Sequence, residues 1–132
     1  MARPKVYEGT RFTVAFARER SWTCPGEAFF TALSMPDQAK LMTLFKMIGD
    51  HGIIHNPEKL GNLKEGLFEF KSHQIRMPFA YANPPERGII VITHGFIKKS
   101  QKASTDEIIR AWRIFNEDQT SAKMGIVRRV KS

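Results

Sequence analysis

The sequence predicts a small α+β domain: an antiparallel sheet with a helical hairpin near its N-terminal end and one helix towards its C-terminal end. Three observations carry that expectation. One early segment and three later ones have the apolar patterning of strands. Between them, two stretches place apolar residues at helical intervals on either side of a tight, proline-bearing break. A last helical stretch follows the strands.

Residues 11–16, Arg-Phe-Thr-Val-Ala-Phe, alternate well enough to form the first strand. Ser21 to Cys24 break the pattern, and Pro25 stands where a first helical residue would, so Glu27 to Leu33 form a short helix. Ser34-Met35-Pro36-Asp37 restarts the chain; Leu41, Phe45 and Ile48 then recur on one helical face, and Gly49 and Gly52 bracket its stop. The segment from His55 to Gly66 is a polar, turn-rich connection. Leu67 to Lys71 and Ile75 to Tyr81 are strands separated by a hairpin-sized gap, and Ile89 to Thr93 is a third, apolar on both faces and so central. Pro78 cannot donate to a ladder, which predicts an edge or a bulge. The last helix spans about Thr105 to Asn116, with Ile108, Ala111, Trp112 and Phe115 on its apolar stripe, and Ser104 and Glu107 spaced as a capping box. Residues 119–132 lose that period and end in a basic run, the pattern of a flexible tail.

A chain of 132 residues suits one core, and 42% hydrophobic residues with ten Phe, two Trp and two Tyr argue for a folded globule. Lys and Arg number 21 against 13 Asp and Glu, a formal charge of +8 that attracts anionic partners, nucleic acid foremost. Cys24 is the lone cysteine, which rules out an intrachain disulfide and suits a reducing cytoplasm. No early apolar run follows the basic start, and no stretch approaches the ~20 apolar residues of a transmembrane helix. A cytoplasmic location, with no membrane partner, is the expectation.

The richest segment begins at His94. An apolar strand feeds His94-Gly95-Phe96-Ile97-Lys98-Lys99-Ser100-Gln101-Lys102, and a helix follows. One short connection therefore carries an imidazole, an aromatic ring and three lysines to the rim of the sheet. Arg76 alternates with Ile75 and Met77 and so faces away from whatever those two pack against. If Lys71 shares that open face, two cations from adjacent strands converge on one phosphate. His94 either carries a proton or bonds a backbone carbonyl and orders the following loop. Phe96 either stacks on a base or plugs the core under the last helix. Arg110 and Arg113 on the open helix face extend a phosphate track or are simply solvated. Glu69 is expected to pair with a strand lysine, and Tyr81 is a reserve proton donor. The histidines and Cys24 lack the spacing of a metal site, so neither metal nor cofactor is expected.

Gly66-Leu67-Phe68-Glu69-Phe70-Lys71, Ile75-Arg76, and Ile90-Val91-Ile92-Thr93-His94-Gly95-Phe96-Ile97-Lys98-Lys99 with Glu107-Ile108-Ile109-Arg110-Ala111 resemble the RelE/HigB toxin superfamily, and within it the phage-derived, HigB-like branch. The resemblance spans roughly residues 11 to 117. Lys71 stands where that branch usually has arginine, so a point charge replaces a planar clamp. Ser100 replaces a threonine, and Ala103-Ser104 a Thr-Pro pair.

The resemblance implies a RelE-like microbial RNase fold over residues 1–118, with 119–132 as the tail. It implies the toxin of a type II toxin–antitoxin system: a metal-independent endoribonuclease that cleaves mRNA in association with the ribosome and is neutralised by an antitoxin, expected to be of helix-turn-helix type. The catalytic candidates are then Lys71, Arg76, His94, Lys98 and Lys99, and the RNA-binding candidates Phe96, Lys102, Arg110 and Arg113. Two alternatives stand beside this. One is a non-catalytic phage-derived protein that binds an antitoxin-like regulator or nucleic acid. The other is a gyrase-targeting toxin on the same fold.

Overall fold

A computed structural model describes residues 2–100 and 105–131, with side chains described as far as Ala122. The elements run β1 (Lys5–Glu8), β2 (Thr13–Phe16), α1 (Pro25–Ala32), α2 (Met35–His51), β3 (Leu60–Lys64), β4 (Leu67–Ser72), β5 (Ile75–Tyr81), β6 (Ile89–Ile92), β7 (Phe96–Ile97) and α3 (Thr105–Lys131). The strands form a single sheet in the order β1-β2-β6-β5-β4-β3, with β7 also paired to β5. All pairs are antiparallel except β2 with β6. This is the α+β class expected, with β6 central as its two apolar faces require.

The sheet separates two cores. On one face, Phe30 of α1 and Leu41, Leu44, Phe45 and Ile48 of α2 pack on Phe70, Met77, Phe79, Ile90 and Ile92. On the other, Ala111, Ile114 and Phe115 of α3 pack on Leu67, Ala80 and Val91. Strand alternation sorts the residues between them. The hairpin helices start as their sequence dictates: the Ser34 hydroxyl accepts from the Asp37 backbone N–H at 3.3 Å, and Gly52 ends α2 at φ 77°. Gly49 does not stop that helix. It lies inside it, where a Cβ on Gly9 would meet the Gly49 backbone at 2.2 Å, so the β1–β2 turn rests directly on α2.

Several boundaries differ from expectation. The 55–66 connection contains β3, whose Gly61 and Asn62 have little strand propensity and which forms because it pairs with β4. β1 and the two-residue β7 are likewise held by their partners. Pro78 is on neither edge: β5 has neighbours on both sides. Its carbonyl accepts from the Thr93 backbone N–H at 2.9 Å, on the side where the next pairing is interrupted between Ile92 and Phe96. The missing N–H thus falls where the ladder breaks between β6 and β7, so the proline is accommodated by a gap in its neighbours and not by an edge or a register shift of β5 on β4. The last helix continues to Lys131, well past Asn116, and both Asp118, the last residue of the expected domain, and Gln119, the first of the expected tail, are buried. The Asp118 carboxylate accepts from Arg3 and from the Arg18 backbone, and Glu86 takes the other side of the Arg3 guanidinium. Among the described residues, no helix is long and apolar enough to cross a membrane.

Candidate functional site

The face of the sheet that α3 partly covers carries the candidate site. Along β4 it presents Leu67, Glu69 and Lys71; along β5, Arg76, Pro78 and Ala80. The register pairs Lys71 with Arg76 and Glu69 with Pro78. Arg76 in turn pairs with Phe96 of β7. Paired residues of antiparallel strands point to the same side, so Lys71, Arg76 and Phe96 form one row across three strands spaced by roughly 5 Å. The backbone N–H of Lys98 donates to the Gln74 carbonyl at 2.7 Å, which keeps Lys98 along the same hairpin. The convergence expected of Lys71 and Arg76 on one face is therefore the arrangement found.

Arg76 is the best-defined member. Its Nη1 donates to the carbonyls of His73 at 2.6 Å and Ile75 at 2.9 Å, which fixes the guanidinium plane. Its Nε is buried with no hydrogen-bond partner, and no bond among the described residues uses Nη2. The Nε–Nη2 edge is the fork that takes a carboxylate or phosphate in bidentate fashion. Beside it sits Glu69, only 8% exposed, with Oε1 3.7 Å from Nε: close enough for charge attraction and too far for a hydrogen bond. Burial pushes the Glu69 carboxyl above the usual range, against the pull of Arg76, Lys98 and Lys71 in the other direction. Gly61 on β3 lies opposite Glu69, where a Cβ would come within 3.1 Å of Glu69 Cγ. The strand cation nearest Glu69 is thus Arg76 and not the lysine that the sequence suggests.

His94 is placed differently from an exposed acid–base group. It is fully buried, stacked under Phe96 with ring centroids 5.7 Å apart. Nδ1 lies 3.0 Å from Thr93 Oγ1 and Nε2 lies 3.2 Å from Glu107 Oε1. Burial pushes its pKa down, and the charge of Arg110 adds to that, against Glu107. A neutral ring with Nε2–H donating to Glu107 leaves Nδ1 an acceptor facing the Thr93 hydroxyl, whose one proton is shared with the Pro78 carbonyl at 3.3 Å. Next to it, a Cβ on Gly95 would lie 2.1 Å from Phe29 Cδ1, so the turn between β6 and β7 is pressed against α1. This geometry makes His94 a support for Phe96 and for the start of α3. The ring does not reach solvent.

The other candidates scatter. Lys99 is exposed and alternates with Lys98, which directs it away from the row. Lys102, and Ser104 of the expected capping box, lie outside the described residues. Arg110 is 4.0 Å from Glu107. Arg113 is held by Glu19 and Glu117 at 3.0 and 2.9 Å. Tyr81 sits on the opposite face among Phe12, Phe68 and Phe79, out of reach of Arg76. Burial raises the Cys24 thiol pKa, the wrong direction for a nucleophile at this loop–helix junction. No three His, Cys, Asp or Glu side chains gather as a metal site among the described residues.

Two residues were missed by sequence reasoning. Glu107 carries a capping-box signal, and nothing in its thirteen-residue separation from His94 reveals their contact. Lys59 falls in the segment taken for a loop. Its carbonyl accepts from the Lys71 backbone N–H at 2.9 Å, and the β3–β4 register sets it opposite Lys71, at the end of the cationic row.

Residues 28–116 match the family model described as Phage derived protein Gp49-like (DUF891). No curated protein matches the chain.

Proposed function

The chain belongs to the Gp49-like family of phage-derived proteins, and from that premise we propose that it is the toxin of a type II toxin–antitoxin pair, a metal-independent endoribonuclease acting on mRNA in association with the ribosome. The observation that carries this reading is the Nε–Nη2 edge of Arg76, which makes no hydrogen bond among the described residues, is locked in orientation by two backbone carbonyls and is flanked by Lys71 and Lys98. Such a fork, buried at its root, fits a phosphodiester better than a general surface attraction would.

In the proposed reaction the ribose 2′-hydroxyl gives its proton to a solvent water as its oxygen attacks the adjacent phosphorus. A P–O2′ bond forms, the P–O5′ bond breaks, and the 5′-oxygen leaves with a proton. Arg76 grips two non-bridging oxygens and stabilises the charge that builds on the phosphorane. Lys71 and Lys98 flank it, and an ammonium of this pair delivers the proton to the leaving oxygen. Phe96, supported from below by His94, offers its ring to a neighbouring base. A cognate antitoxin would neutralise the protein by covering this basic face, and residues 1–118 would constitute the toxin unit.

One observation favours a second reading, that of a phage-derived protein which binds nucleic acid or a regulator without cutting. The imidazole of the motif is buried and engaged by Glu107, so it does not serve a substrate. Expression in a bacterial host with mapping of messenger 5′ ends separates the two. Cuts phased with codons in translated messages, lost in Arg76→Ala, support the endonuclease. Growth arrest with intact messages refutes it, and DNA damage in that arrest marks a gyrase poison.

A further inference from the structure

The Glu69 carboxylate has no role in the reaction above, yet it is the buried ion nearest to the proposed phosphate seat. The cross-strand row Gly61–Glu69–Pro78 gives it space on the β3 side, because Gly61 has no side chain. It makes no hydrogen bond to Arg76, although 3.7 Å separates its Oε1 from an Nε that has no other partner. A carboxylate and an unused bidentate fork are thus held about one ångström short of closure. The charged groups acting on Glu69 are Arg76 from β5, Lys98 beyond β7 and Lys71 on its own strand; Gly61 faces it from β3 without charge.

We propose that Glu69 is a built-in competitor for the phosphate seat: its carboxylate neutralises the free Nε–Nη2 edge of Arg76 while the seat is empty, and a docking phosphodiester displaces it towards Lys71 and Lys98. The inference rests on the reading of this face as an RNA site. A carboxylate and a phosphate present the same paired oxygens to a guanidinium, so one occupies the place of the other. Glu69 therefore sets affinity by acting on Arg76. Because its carboxyl titrates above the usual range, the competition weakens as pH falls towards that raised pKa, and oxyanion binding tightens.

The test is binding of a 2′-O-methyl oligoribonucleotide, which cannot be cleaved, followed by fluorescence anisotropy at several salt concentrations. Glu69→Gln is expected to bind about five- to tenfold more tightly than wild type, the low end of ordinary site–site coupling. Glu65→Gln, an equal change of net charge at the exposed β3–β4 turn, should leave affinity within about twofold. In the Arg76→Ala background the gain from Glu69→Gln should vanish. Unchanged or weaker binding by Glu69→Gln overturns the proposal, as does a gain that survives without Arg76. Glu69→Met, close in volume, replaces the Gln variant should the latter not fold. Retention of the same variants on immobilised heparin, whose sulfates offer the fork similar oxygens, separates the two levels of the argument. If wild type ignores the oligonucleotide while Glu69→Gln still gains heparin retention through Arg76, the RNA reading falls and the competitor role stands. If neither polyanion distinguishes the variants, the competitor role falls.

Discussion

Asp118→Asn probes the charge cluster that ties the chain's two ends together. The Asp118 side chain is fully buried; Oδ1 accepts from Arg3 Nε and the Arg18 backbone N–H, both at 3.0 Å, and Oδ2 from Arg3 Nη2 at 2.8 Å and Gln119 Nε2 at 3.1 Å. Asparagine keeps the shape but turns one oxygen into a donor that faces donors. It also removes the charge opposite Arg3, whose side chain is only 7% exposed. Breaking a buried pair by removing one partner costs about 3–5 kcal/mol. Glu86 still holds Arg3 through two bonds of 2.7 Å, so the lower end, about 3 kcal/mol, is expected. At roughly 3–5 °C per kcal/mol for a chain of this size, Tm should fall by about 10 °C. Urea unfolding followed by circular dichroism checks the figure, with a lower midpoint at unchanged m-value. Added salt should not alter the difference, since buried pairs are poorly screened. A loss below about 1 kcal/mol would show that the cluster only decorates the fold.

Four further outcomes are expected. Arg76→Ala should abolish messenger cleavage and growth inhibition, and should cost about 1–3 kcal/mol because it strips the buried Glu69 of its counter-charge; cleavage that persists in the variant refutes the site. Lys71→Arg should raise affinity for an uncleavable RNA several-fold by adding a second fork beside the first; weaker binding would mean that the row has no room for one. Gly95→Ala should cost about 1–3 kcal/mol by forcing Phe29 from a position 2.1 Å from the new Cβ, which a denaturation series would detect. The pH dependence turns on His94. Its folded pKa lies below 6.5, so unfolding takes up a proton at mildly acid pH. The stability from keeping it neutral is present above about pH 6.5 and drains away as pH falls through the window below it. The Tm of wild type should drop more steeply over that window than that of His94→Gln, and parallel curves would refute the assignment.

The sequence made the architecture legible wherever burial is two-sided or periodic. Ile89 to Ile92 announce a central strand because both faces are covered, and Leu41, Phe45 and Ile48 announce a helix face because one is. It hid elements that exist only by pairing. Leu60 to Lys64 has two apolar residues around Gly-Asn, and Phe96-Ile97 is too short for any period; both are strands because β4 and β5 offer free ladder groups. The site was half legible for a related reason. Arg76 and Lys71 share a face by counting along two strands across a hairpin, which is local arithmetic. The burial of His94 under Phe96 and its bond to Glu107 depend on where α3 docks, a tertiary fact with no local signature. The orientation of Arg76 Nη1, by contrast, is set locally by carbonyls of its own turn.

The clasp of Arg3 and Asp118 also has a meaning in time. The two residues are 115 positions apart, and the parallel pairing of Thr13 with Ile89 likewise joins distant parts of the chain. Loop closure of this span precedes any reward from the contacts it allows, so these pairings form late. During synthesis, β3, β4 and β5 can assemble from neighbouring sequence, and with them Lys71 and Arg76. Arg3, just before the first strand, and the last helix must wait for each other. Completion of the fold is therefore gated by the emergence of α3, and a chain cut short within α3 before Asp118 has every strand of the sheet but no complete cover for its second core, with Glu86 as the remaining counter-charge of Arg3.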